Sequence, residues 1–497
     1  MLMTHNACLR ALIAVTATTL ATTAIACASS SGEGRHEDAA SVEDALAASP
    51  AALASPVDLI AVGSLSGLAR DRSSETSAAL ENGAPGNLLG GLGSGLAYAG
   101  CDTFLAVPDR GPNASPYNAG VDDTTSYVAR FQTLTLRLTR AGAAPGTALP
   151  FDLAPKLTRT TLLSSRAKLS YGTGAELSLP GGAPALNTRH DHYFTGRSDN
   201  FDPAAASTSD GNGRLDPEGV RVSRDGERVY VSDEYGPFVY EFDRQTGRRL
   251  RAFALPEGFA IHTLNAKGDV EIASNAEGRV TNKGMEGLAI TPDGRTLVGA
   301  MQSPLLQDGG TAGRFTRIVT IDIRSGAVAQ HAYELTNIGT AAKPKYPTVS
   351  EIVAIDDHQM LVDERDGKGL GDGSVAVSKK LYRIDLSGAA DVSALRGEAS
   401  LAGSAVAKTL FLDVVASLVA HGWNPADIPA KLEGLAFGPD VFMGGARRHT
   451  LYVSNDNDFV GTVTDALHPD GIDNPNRFFV FGIDPAALPG FRASTLD

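Results

Sequence analysis

Four short phrases place a glutamate at the head of an apolar run: Asp216-Pro217-Glu218-Gly219-Val220, Met285-Glu286-Gly287-Leu288-Ala289, Ser350-Glu351-Ile352-Val353-Ala354 and Leu432-Glu433-Gly434-Leu435-Ala436. Three are answered downstream by a second apolar run that ends in acids: Asp233-Glu234, Asp363-Glu364 and Asp456-Asn457-Asp458. A looser copy ends at Val107-Pro108-Asp109-Arg110. Carboxylates gathered in this number repel one another unless cations compensate them. Oxygen-only ligands favour a hard cation, Ca²⁺ or Mg²⁺, over zinc. Basic residues stand beside the same motifs: Arg110, Lys283, Arg365, Lys368 and Lys431. Together with a metal they can hold a phosphate or a carboxylate. Glu218, Glu286 and Glu433 are the candidate metal ligands, and Glu234 or Asp233 the candidate general base. Arg110, Lys283 and Arg365 are the candidates to orient an anionic substrate. For any one glutamate a structural role stands beside this, as acceptor of backbone N–H bonds from a neighbouring unit.

The elements that must position these residues are strands. Asp216 to Tyr235 alternates apolar and polar residues on both sides of Asp225-Gly226, the pattern of a tight hairpin between half-buried strands. The phrase recurs around Pro292-Asp293-Gly294 and Asp356-Asp357, and each copy is followed by a third apolar run, such as Phe238–Asp243 or Phe315–Ile323. Repeated hairpin units of this kind imply a β-propeller. The expected fold is all-β, a single closed propeller of about five to six blades, each of three to four antiparallel strands. Five blades are readable; the longer gap between the first copy and the second holds either loops or a degenerate blade. The first strand of each blade lines the channel, and antiparallel pairing sets the end of strand two beside its start, so both sets of acids are expected at one end. Val57–Leu65 stands alone before the first repeat and is expected to complete the last blade, which removes the open edges. Apolar residues at helical spacing over Thr409–His421 predict one inserted helix near 409–421.

The formal charge of −14 argues against nucleic acid as a partner, because a phosphate backbone needs a basic face. Residues 1–26 read as an export signal, with Arg10 before an Ala-rich apolar run and a small-x-small cleavage site at Ala24-Ile25-Ala26. Ala24-Ile25-Ala26-Cys27 also resembles a lipobox, with Ala24 in place of the usual Leu, so Cys27 is either a lipid anchor or follows a simple cleavage site. Residues 27–55 read as a disordered linker and 56–497 as the folded domain. No later segment reads as a transmembrane span. Cys101 reads as a small buried apolar residue. Asp210-Gly211-Asn212-Gly213-Arg214-Leu215-Asp216 reads either as the start of a calcium loop or as an Asx-rich turn, and Arg221 occupies the position where such a loop needs a closing Glu. His190 and His192 read as part of a solvated loop. No nucleophile elbow, P-loop or His-Glu-x-x-His is present.

Asp216-Pro217-Glu218-Gly219, Val231-Ser232-Asp233-Glu234-Tyr235-Gly236-Pro237, Asn282-Lys283-Gly284-Met285-Glu286-Gly287-Leu288, Gln302-Ser303-Pro304, Leu361-Val362-Asp363-Glu364-Arg365-Asp366 and Lys431-Leu432-Glu433-Gly434-Leu435 resemble, in order, the bacterial phytase-like family described as esterase-like activity of phytase. The resemblance implies an exported propeller with ester or phosphoester hydrolase activity. Together the residues and the resemblance predict a metal-dependent hydrolase of phosphate or carboxylic esters, periplasmic, envelope-tethered or secreted. It is expected to be a monomer, to bind Ca²⁺ or another hard divalent cation in an acidic channel, and to act on a small anionic ester. The alternatives are a non-catalytic envelope propeller that binds a ligand or protein, and a calcium-dependent lactonase.

Overall fold

A computed structural model of the chain describes residues 55–114, 124–142, 149–494 and 496. The chain divides into Met1–Ala45 and Leu46–Asp497. The export signal, the lipobox at Cys27 and the linker up to residue 54 lie outside the described residues.

Strand β1 (Val57–Leu65) precedes the first complete blade, formed by β2 (Gly95–Tyr98), β3 (Thr103–Val107), β4 (Arg130–Arg140) and β5 (Phe151–Leu162). A small pair, β6 (Ser164–Ser165) and β7 (His192–Tyr193), follows. The second blade is β8 (Pro217–Val222), β9 (Arg228–Asp233), β10 (Phe238–Asp243) and β11 (Arg249–Ala254). The third is β12 (Met285–Ile290), β13 (Thr296–Met301), β14 (Phe315–Asp322) and β15 (Val328–Glu334). The fourth is β16 (Thr348–Ala354), β17 (Gln359–Arg365), β18 (Lys379–Asp385) and β19 (Lys408–Asp413). The fifth takes β20 (Lys431–Met443), β21 (Ala446–Asp456) and, after the short pair β22 (Thr462–Val463) and β23 (Ile472–Asp473), β24 (Asn476–Ile483). Its outer strand is β1, paired antiparallel to β24 from Val57↔Ile483 to Leu65↔Asn476. The N-terminal strand thus closes the ring.

The fold is therefore an all-β propeller of five four-stranded blades. Among the described residues the long gap after the first hairpin holds no extra blade. It is taken up by the long outer strands of blade one and a layer of loops around β6 and β7. Alternation within a strand splits its side chains between two interfaces. Val229 and Val231 of β9 pack against Leu105 and Phe131 of blade one, whereas Tyr230 joins Leu288, Leu297 and Val319 of blade three. Both faces of each inner hairpin are buried in this way.

The stretch expected as one helix over 409–421 divides at Asp413. Its first half is β19, with Leu412 buried opposite Leu381, because the open edge of β18 needs backbone partners. Two short helices lie in earlier connections, α1 (Gly268–Ala273) and α2 (Glu398–Leu401). The expected insertion is α3 (Val414–Ala420), capped by the Asp413 carboxylate, which accepts from Ala416 N at 3.0 Å. Cys101 is not buried as expected: it is exposed on the turn after β2 with φ +52°.

The inner strands β2, β8, β12, β16 and β20 pack side by side around the axis. Glycine makes that approach possible. A methyl on Gly219 would lie 2.6 Å from the Leu288 nitrogen, and one on Gly287 would lie 2.8 Å from the Ile352 nitrogen. Three inner strands also bulge at their acidic position, between Pro217 and Val220, Met285 and Gly287, and Leu432 and Leu435, whereas in β16 the bulged residue is Ser350 and Glu351 pairs with Asp363. A bulge re-aims the side chain it carries, and here the acids so carried are Glu218, Glu286 and Glu433.

Candidate metal and active site

Three blades contribute to one carboxylate triad. Oxygens of Glu218 on β8, Glu286 on β12 and Glu433 on β20 all lie within 4.8 Å of one another, and all three side chains are buried. Oxygens of Asp216, Glu218 and Glu234 form a second triad within the same limit. Asp216 stands just before β8 and Glu234 just after β9, so the antiparallel hairpin brings them together. A third group, Asp109, Asp456 and Asp458, is already bridged by Lys431 Nζ, which lies 2.6 Å from both Asp456 Oδ2 and Asp458 Oδ1. Asp458 is exposed and in a left-handed conformation, φ +51°, so this side of the cluster opens to solvent.

The electrostatic load is large. Two like charges about 4 Å apart in an effective dielectric of about 20 repel by about 4 kcal/mol. Three such pairs in a triad approach the whole net stability of a domain, roughly 5–15 kcal/mol. Protons or cations must relieve it. Burial, then Glu286, Asp216, Glu234 and Glu433, drive the Glu218 carboxyl well above the ordinary range. Burial, then Glu286 and Asp216, do the same to Glu234. Burial and the nearby Glu433 push Glu286 up to about 7 despite Arg365. Two carboxylate oxygens in this group, Glu234 Oε1 and Glu286 Oε2, are buried without a hydrogen-bond partner. Such orphaned anionic acceptors, in an all-oxygen set, fit a hard cation.

The basic residues are distributed around the acids. Arg110 donates from its backbone N and from Nη1 to Asp216, each at 2.9 Å, and Nη1 lies 3.9 Å from Glu234 Oε2. Arg365 Nη2 binds Glu433 and lies 3.9 Å from Glu286 Oε1. Lys283 Nζ donates to Gln302 Oε1 at 2.9 Å. Burial pulls the Lys283 ammonium below its usual range, against the pull of Glu234 and Glu286. Lys368 lies outside the group, paired with Asp372 on an exposed loop.

Several expected members are placed elsewhere. Asp233 points away from the triads. Its Oδ1 accepts from Asp216 N at 3.1 Å and Tyr235 N at 3.0 Å, and it lines a small separate cavity with Ser207, Asn212, Arg214 and Tyr240. Period-2 alternation is the reason: Asp233 and Glu234 are neighbours, so only one faces the channel. Glu351 pairs with Arg221, whose Nη2 lies 3.1 Å from Glu351 Oε2, and its Oε1 accepts from Leu288 N and Ile352 N, each at 2.9 Å. Glu364 accepts from Tyr333 OH at 2.6 Å and pairs with Lys408. Of the Asp210–Asp216 loop, Asp210 pairs with Arg249 and Asn212 Oδ1 accepts from Asp202 N ten residues earlier, so both side chains are engaged within the fold. His192 lies in β7, and neither it nor His190 joins a group of metal-ligating side chains among the described residues.

Two participants were not singled out from the residues alone. Asp216 completes the second triad; its signal was the Asp-Pro-Glu spelling, with an acid just ahead of a strand start. Gln302 holds Lys283, and nothing in its local sequence marks it.

The family described as "Phytase-like: Esterase-like activity of phytase" matches residues 87–459 of this chain. A protein of Arthroderma benhamiae described as an uncharacterized secreted protein is 32% identical over 290 residues, covering 50% of this chain and 52% of that protein. The chain thus spans about half the length of that relative. Among solved structures, the periplasmic gluconolactonase of Pseudomonas aeruginosa aligns with 80% of this chain and 92% of its own at 12% identity and a TM-score of 0.31. The PQQ-bound aldose sugar dehydrogenase of Streptomyces coelicolor aligns with 77% of this chain and 76% of its own at 11% identity and a TM-score of 0.25. Neither likeness bears on substrate or mechanism.

Proposed function

The chain belongs to the phytase-like family described as esterase-like activity of phytase, and from that premise and the acid cluster we propose that it is a metal-dependent hydrolase of phosphate or carboxylic esters. The observation that carries this is the convergence of Glu218, Glu286 and Glu433 from three blades, with a buried Glu286 oxygen left without a partner. These three would hold a hard divalent cation, Ca²⁺ in the first instance. Such an ion, when bound, polarises an ester or phosphoryl oxygen and lowers the pKa of a bound water. Glu234, beside Glu286 and with one oxygen unpartnered, is placed to take a proton from the attacking water. Lys283, fixed by Gln302, is the cation best placed to meet an anionic group, because its hydrogen-bond partner is neutral. Arg110 and Arg365 keep Asp216, Glu433 and Glu286 oriented. Export is part of the proposal. It is supported by the leader-like residues 1–26 and by the secreted description of the Arthroderma benhamiae relative.

The test is metal analysis of the purified protein, with hydrolysis of p-nitrophenyl phosphate and p-nitrophenyl acetate before and after chelation. Turnover lost to chelator and restored by Ca²⁺ is the expected result. Bound metal without turnover on a broad ester panel would instead make this a ligand-binding propeller.

A further inference from the structure

The two triads share one residue. Oxygens of Glu218 lie within 4.8 Å of those of Glu286 and Glu433 on one side, and of those of Asp216 and Glu234 on the other. Each triad holds one buried carboxylate oxygen that no donor reaches, Glu286 Oε2 in the first and Glu234 Oε1 in the second, and these two carboxyls also meet each other, a contact that needs a proton or a cation between them. Those two side chains are only 3% and 2% exposed. One ion between Glu218, Glu286 and Glu433 answers the first orphan and leaves the second unexplained.

We propose that the site holds two hard divalent cations bridged by the Glu218 carboxylate, the second bound by Asp216 and Glu234. This rests on the metal-dependent reading above and extends it. A carboxylate offers two oxygens and about four lone pairs, so Glu218 can serve both ions. Paired ions in hydrolytic sites stand about 3.5–4 Å apart, a distance that one bridging carboxylate spans. Asp216 already accepts two hydrogen bonds from Arg110, one on each oxygen, and each oxygen retains a second lone pair.

Charge supports the count. Five carboxylates (Asp216, Glu218, Glu234, Glu286 and Glu433) face Arg110, Lys283 and Arg365, which leaves two negative charges uncompensated. One divalent ion cancels them. A second makes the site positive by two charges, the complement of a phosphate monoester. The ligand class is thus a pair of Ca²⁺-like ions together with an anionic oxygen group that lies across them.

The test is Ca²⁺ titration of the chelator-stripped, full-length protein by calorimetry, with metal content read by mass spectrometry. Two ions per chain are expected. Glu234→Gln and Glu433→Gln should each retain one, and Glu218→Gln should weaken both at least tenfold, with circular dichroism confirming the fold. Should a variant fail to fold, energy transfer between lanthanides bound to the unmutated protein reports whether two ions sit a few ångströms apart. One ion per chain, or two ions retained by Glu234→Gln, overturns the proposal and leaves Glu234 as a base alone. Two ions without ester turnover would uphold it while removing the hydrolase reading.

Discussion

Glu286 and Glu351 stand one residue out of step in successive blades, Glu286 in the bulge of β12 and Glu351 where β12 has Gly287, and the structure treats them in opposite ways. Both head an inner strand, both are buried, and burial pushes both carboxyls up to about 7. Glu286 joins other acids, with Arg365 no nearer than 3.9 Å. Glu351 meets Arg221, which reaches across the channel to donate to Leu96 O at 2.7 Å and Ile352 O at 2.8 Å. Arg221 also lines the cavity at the far end, with Leu96, Val222, Val353 and Phe437. The Arg221–Glu351 pair is thus the floor beneath the acid cluster. One region concentrates charge for a ligand, and the other neutralises charge to hold four inner strands together. The difference is how closely a cation of the chain approaches and what else is near: Arg221 stands 3.1 Å from Glu351, whereas Arg365 stands 3.9 Å from Glu286, which has other acids beside it.

The widest separation between the two regions is expected in activity. Glu286→Gln should lower ester turnover by about 10²-fold or more, while the melting temperature stays level or rises, because one buried like charge is gone. A collapsed fold would instead move Glu286 to the structural side. Glu351→Ala should do the reverse. It strands Arg221 as a buried charge, which costs about 3–5 kcal/mol in urea unfolding, and it should leave Ca²⁺ binding per folded molecule unchanged. Loss of the ion in that variant would merge the two regions into one site.

The pH dependence sharpens the contrast. The Glu351 carboxyl titrates at about 7 in the folded chain against 4.5 as its ordinary value. Because the folded state binds this proton more tightly, its contribution to stability is most favourable below 4.5 and is lost as pH rises towards 7. Urea unfolding of metal-free protein should therefore show stability falling by on the order of 1–3 kcal/mol between about pH 5 and 8. Glu351→Gln should flatten part of that slope; an unchanged slope would mean that Glu351 is ionised throughout. Gly287→Ala tests the backbone contact that both regions share. The added methyl would meet the Ile352 nitrogen at 2.8 Å, and a loss of about 1–3 kcal/mol is expected; an unaffected melting curve would show that the ring tolerates spreading there. The smallest effect belongs to Gln302→Leu. Releasing Lys283 should lower kcat/KM for an anionic ester about tenfold, roughly 1.4 kcal/mol, and leave a neutral ester almost unchanged. Equal losses on both substrates would assign Gln302 to packing.

Much of this was legible in the residues. Hairpin spelling around Asp225-Gly226 and Asp293-Gly294 gave the blades, and the isolated run Val57–Leu65 pointed to ring closure. The grouping of Glu218, Glu286 and Glu433 followed from their shared place at strand starts. The exception was visible too: of the four glutamates, only Glu351 is followed by isoleucine rather than glycine. The α3 boundary was less visible, because apolar residues such as Leu410, Phe411 and Val414 satisfy helix spacing until an open sheet edge competes for the backbone.

By itself the sequence determined what local periodicity can determine: strands, turns, the repeat, and the acid at the head of four inner strands. It did not contain the distances between residues that lie scores of positions apart in different blades. Those depend on how closely glycine lets the inner strands approach and on how each bulge turns its side chain. Only the closed ring decided that Glu218, Glu286 and Glu433 of three blades meet within 4.8 Å, that Asp233 faces a separate cavity, and that Arg221 crosses the axis to claim Glu351.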